Sequence, residues 1–110
     1  MVELDEISFP LLAFNDKNKF LGLRSAIIEF GAPWCGPCKV LTPRLEELSV
    51  KYKGKIDIYS VDVDAYPNLA SRFNIFSIPT MLFIPLDGEY KVTVGSVATQ
   101  AIEDLIREIL

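Results

Sequence analysis

A chain of 110 residues, half of them hydrophobic and with a formal net charge of −4, suits one compact domain over 1–110 and is too apolar for a disordered segment. Its basic residues are scattered and outnumbered by acidic ones, so it offers no surface for phosphates, and nucleic acid is excluded as an expected partner. The longest apolar run, Met81-Leu82-Phe83-Ile84, is far too short to cross a membrane, and the opening "MVELDE" lacks the basic and apolar regions of a signal peptide, so the expectation is a cytoplasmic protein.

The first stretch is the least legible. Phe9 to Phe14 reads as an edge strand, where Pro10 is tolerated, followed by a short helix from Asp16 to Leu21. Ser25 to Phe30 is a nearly continuous apolar run bounded by Gly31, the pattern of a strand buried on both faces. Leu41, Leu45, Leu48 and Tyr52 then recur at helical spacing, with Gly54 as the stop. Pro43 falls inside that helix, where its ring should kink it. Ile56 to Val63 is rich in β-branched residues and reads as a second buried strand.

Pro67 opens a short helix carrying Leu69, Ala70 and Phe73 and ending near Asn74. Met81 to Ile84 and Tyr90 to Val94 flank an Asp87-Gly88 turn signal, so they form a hairpin. From Thr99 on, Ile102, Leu105, Ile106, Ile109 and Leu110 line one helix face. The order implies an α/β fold: a three-layer sandwich, its central sheet mixed, with helices on both faces.

"FGAPWCGPCKVL", residues 30–41, holds both cysteines of the chain, Cys35 and Cys38, just past the end of the central strand. Zinc needs about four ligands; with two cysteines and no histidine, one chain cannot close a Cys/His site, so no metal is expected. A disulfide across two intervening residues removes little entropy from the unfolded chain and is a weak staple. A reversible dithiol has the strongest claim. Ligands and chemistry gather at the carboxyl ends of such strands, and that is where it falls.

From roughly Ile27 onward the chain resembles the thioredoxin family. The residues that carry the likeness are "WCGPCK" at 34–39, Pro43, "SIPT" at 77–80, and "DGE" at 87–89 followed by Val94-Gly95. The resemblance implies reduction of disulfide-containing protein substrates. It also implies recharging by an NADPH-dependent, flavin-containing thioredoxin reductase. No cofactor of its own and a monomeric state go with it. The chain departs from the family pattern at Glu29, where an Asp is usual, and at Ser60, where a Lys often stands. Its N-terminal strand and helix are also shorter than usual or differently arranged.

Cys35 belongs at the helix start, where unsatisfied N–H groups and the helix dipole favour a thiolate. That thiolate is the attacking species in disulfide exchange. Cys38, one turn on and on the same helix face, is placed to resolve the mixed disulfide. Gly36 leaves the flank of Cys35 clear, and Pro37 fits an early helical position without losing a hydrogen bond. Trp34 is expected to shield the sulfurs and join the docking surface; its plainer reading is a partly buried packing aromatic.

Residue type alone favours a trans Pro79, whereas the resemblance implies a cis Ile78–Pro79 bond beside the dithiol. Backbone at Ile78 would then pair with an extended substrate, with Gly95 on the same surface. Glu29 is costly if charged and buried. It either reaches solvent at the sheet's end or accepts the proton of Cys38. Two other functions stay open: an extracytoplasmic dithiol oxidant or isomerase, and a non-catalytic subunit binding through the surface around Trp34, Ile78 and Gly95.

Overall fold

The computed structural model describes residues 1–110. In chain order it has β1 (Val2–Leu4), α1 (Phe9–Leu12), β2 (Ala26–Gly31), α2 (Gly36–Lys51), β3 (Asp57–Asp62), α3 (Pro67–Arg72), β4 (Thr80–Ile84), β5 (Lys91–Val94) and α4 (Thr99–Ile109). The sheet order is β1-β3-β2-β4-β5. β1 and β2 run parallel to β3, while β4 is antiparallel to both β2 and β5. The mixed sheet read from the sequence is thus present, with β2 at its centre.

Every residue of β2 is buried, which accounts for its unbroken apolar sequence. Successive side chains point to opposite faces. Ile28 and Phe30 join Leu4, Phe9, Phe14, Val61 and Leu69 in a core under α1 and α3. Ile27 joins Leu41, Leu45, Leu48, Met81, Phe83, Ile102 and Ile106 in a second core under α2 and α4. Glu29, two residues from Ile27, therefore faces α2. The same alternation puts Ser60, paired in register with Glu29, on that face.

The N-terminal expectations are corrected. Phe9–Leu12 is helical rather than an edge strand, and the edge strand is Val2–Leu4, against β3. The apolar run misled because its true spacing is helical: Phe9 and Ala13 are buried while Leu11 and Leu12 are exposed. Pro10 sits in the first turn, where its missing N–H costs nothing. The turn before it is closed by Asp5, whose Oδ1 accepts from the N–H groups of Ile7 at 2.9 Å and Ser8 at 2.7 Å.

Residues 16–21 are not a helix either. Phe14 and Phe20 form an antiparallel bridge, and Asn15 Oδ1 accepts from the N–H groups of Lys17 and Lys19, both at 3.0 Å. An Asx side chain that bonds nearby backbone in this way competes with helix formation. Further along, α2 continues through Pro43 without interruption. Leu110, expected on the buried face of the last helix, is exposed beyond its end.

Candidate active site

Cys35 is the N-cap of α2, and Pro37 occupies the first turn. The N–H of Cys38 donates to Cys35 Sγ at 3.2 Å. One of the orphan donors of the helix start is therefore aimed at this sulfur. The two cysteines form a disulfide, with their Cα atoms 5.2 Å apart. Exposure does not separate them: they are 3% and 4% exposed. What separates them is the neighbourhood of each.

Cys35 Sγ lies 3.8 Å from the carbonyl oxygen of Ile78. The Ile78–Pro79 bond is cis. Beyond Pro79, its carbonyl accepts from the N–H of Gly95 at 2.8 Å, and Gly95 has a left-handed φ of 94° with open space above it. Ile78 is half-buried and Pro79 buried, while Gly36 and Pro37 are exposed. Trp34 is 67% exposed and donates from Nε1 to Asp64 Oδ2; it is not a packing aromatic. Ile78 thus lies against the Cys35 sulfur, Trp34, Gly36 and Pro37 neighbour Cys35 along the chain, and Gly95 is tied to the same side through Pro79.

Cys38 faces the other way. A Cβ on Gly31 would meet Cys38 Sγ at 3.1 Å and Glu29 Oε1 at 3.2 Å, so sulfur and carboxylate converge on the bare Cα of this glycine. Glu29 is 3% exposed, which removes the solvent-reaching reading. Its Oε1 accepts from Thr42 Oγ1 at 3.4 Å. Its Oε2 has no protein partner. Burial, only partly offset by the Thr42 hydrogen bond and reinforced by the charge of Glu46, pushes the carboxyl up to about 6. A cleft of about 200 Å³ lined by Glu29, Cys38, Thr42, Ser60 and Asp62 opens beside the pair.

Two contributors escaped the sequence reading. Thr42 stands four residues after Cys38, on the same helix face, so its position toward Glu29 was within reach of helical spacing. Asp64, the acceptor for Trp34, carries no local signal because a loop after β3 supplies it.

An arrangement of this kind can exchange its disulfide with that of another protein: one sulfur at a helix start lies against the Ile78 carbonyl, the other beside a buried carboxyl. The Thioredoxin family model matches residues 13–108. A thioredoxin of Borreliella burgdorferi is 45% identical over 97% of this chain and 95% of its own length. A chloroplastic M-type thioredoxin of Spinacia oleracea is 42% identical over 76% of this chain and 46% of its own length. The crystal structure of chloroplastic thioredoxin z superposes with a TM-score of 0.85 at 24% identity, covering 99% of this chain and 93% of the other; that likeness concerns the fold. No helix is long and apolar enough to cross a membrane. With the family model covering most of its length and a curated relative matched nearly end to end, the chain belongs to the thioredoxin family and is a thiol–disulfide oxidoreductase that reduces protein disulfides.

Proposed function

We propose that residues 1–110 act as one catalytic unit in which Cys35 attacks, Cys38 resolves and Glu29 handles the proton. The thiolate of Cys35 attacks one sulfur of a substrate disulfide and forms a mixed disulfide, and the other substrate sulfur leaves as a thiolate. Glu29, as the carboxylate, takes the proton of Cys38. The Cys38 thiolate then attacks Cys35 Sγ, expelling the second substrate thiolate and closing the Cys35–Cys38 disulfide. The substrate is reduced by two electrons and the dithiol oxidised by two.

The single observation that carries this reading is the division of neighbours: Ile78 at Cys35 Sγ, Glu29 and Cys38 Sγ together at Gly31. Substrate lies extended along Ile78, with backbone hydrogen bonds giving broad acceptance. Trp34, Gly36, Pro37, Pro79 and Gly95 form the rest of its bed. An NADPH-dependent flavin thioredoxin reductase recharges the dithiol, and the cytoplasm is the compartment that suits a reductase.

The test is trapping. Cys38→Ser, mixed with an oxidised protein such as insulin, should accumulate a mixed disulfide through Cys35, visible by non-reducing mass spectrometry. Accumulation with Cys35→Ser instead reverses the roles.

A further inference from the structure

Arg44 stands on α2, the helix that starts at the dithiol, and is half-buried. Its Nη1 donates to two consecutive carbonyls, Ser96 O at 3.3 Å and Val97 O at 2.8 Å. A guanidinium amino nitrogen carries two hydrogens, so one nitrogen serves both. None of the four ion pairs of the chain includes Arg44. Both hydrogens of that nitrogen go to backbone, and charge-assisted bonds of this kind are about twice as strong as neutral ones.

Both carbonyls belong to the loop between β5 and α4 that begins at Gly95. The Gly95 N–H donates to Pro79 O at 2.8 Å, and the Val97 N–H donates to Gly95 O at 3.0 Å. The loop is therefore held from two sides. One hold is the Pro79 segment beside Cys35; the other is Arg44, on the dithiol's own helix.

We propose that Arg44 is a positioning residue for protein substrates, fixing the Gly95–Val97 loop relative to the dithiol so that a docking protein meets a preformed wall. The proposal rests on the docking surface described under Proposed function. A loop ordered in advance spares the substrate the entropy of ordering it. A small disulfide that does not reach the loop gains nothing from the clamp. Loss of Arg44 thus selects against protein disulfides while leaving the chemistry of the sulfurs alone.

The experiment uses the single tryptophan, Trp34, to follow oxidation of the pre-reduced protein by stopped-flow fluorescence. Wild type, Arg44→Met and Arg44→Lys are each mixed with insulin and, separately, with 2-hydroxyethyl disulfide. Met keeps the stem and removes the donors; Lys restores a cation with several N–H groups. The readout is the ratio of the two second-order rate constants. Any unfolded fraction lowers both and cancels, so a merely structural role does not move it.

Arg44→Met should lower the insulin rate constant roughly three- to tenfold and leave the small-disulfide rate and the reduction potential unchanged. Arg44→Lys should recover part of the loss. An unchanged ratio in Arg44→Met, whether from equal losses or from none, overturns the clamp alone. A wild type that reduces 2-hydroxyethyl disulfide but not insulin overturns the docking reading, and the clamp with it.

Discussion

Glu29 concentrates the cost and the use of this site in one side chain. Its folded carboxyl titrates at about 6 against an ordinary value of 4.5, so folding favours the protonated form. The stability this protonated form confers is fully present below about 4.5, is lost as pH rises through about 6, and the penalty is constant above that. One and a half units correspond to about 2 kcal/mol. In Glu29→Gln the group no longer titrates. Urea unfolding should therefore show the stability difference between the variant and wild type growing by about 2 kcal/mol in the variant's favour from about pH 4 to about pH 7. A difference that does not change with pH contradicts the burial account. On the proposed mechanism the variant should also release reduced substrate more slowly, since Glu29 is there the proton acceptor of Cys38. That Glu29 is an unusual carboxylate was legible from its place between Ile28 and Phe30 on an apolar strand. Its support by Thr42 called for joining two elements: helical spacing puts Thr42 on the face of Cys38, and only the fold sets that face against β2.

At the scale of elements, burial sorts residues that periodicity treats alike. Ile106 and Leu110 both fit the apolar stripe of the last helix, yet Ile106 is fully buried in the α2/α4 core and Leu110 is 59% exposed. Ile106→Ala should cost about 2–5 kcal/mol in denaturant unfolding, and Leu110→Ala less than about 0.5 kcal/mol. Comparable losses would show that the helix end is packed in solution. The elements β2, α2, β4 and α4 were readable, the two strands as short unbroken apolar runs and the two helices by their apolar spacing. The first twenty-odd residues were not. There a four-residue helix, an Asx-bonded turn at Asn15 and an edge strand of three residues are each too short for a period to declare itself, and tertiary contacts decide. The Phe9–Phe14 run also shows how an apolar sequence satisfies a helix and a strand equally until one face is known to be exposed.

At the scale of the molecule, the fold brings together segments far apart in sequence: Cys35 and Cys38 from the start of α2, Ile78 and Pro79 before β4, Gly95 after β5, and Glu29 from β2. Sequence reasoning placed the dithiol at the end of the central strand, and the family resemblance supplied the rest of the ring. The cross-links that tie the ring, from Arg44 to the Gly95 loop and from Trp34 to Asp64, depend on topology alone and left no trace in local pattern. What the assembled site is tuned to do is a question of energy, and the reduction potential of the Cys35–Cys38 couple answers it most directly. Equilibration with glutathione redox buffers, read by the Trp34 fluorescence of the two forms, should give a potential near about −270 mV, the general value for thioredoxins and not one derived from this fold. A potential near about −120 mV, that of a strong dithiol oxidant, would contradict the reading as a protein-disulfide reductase.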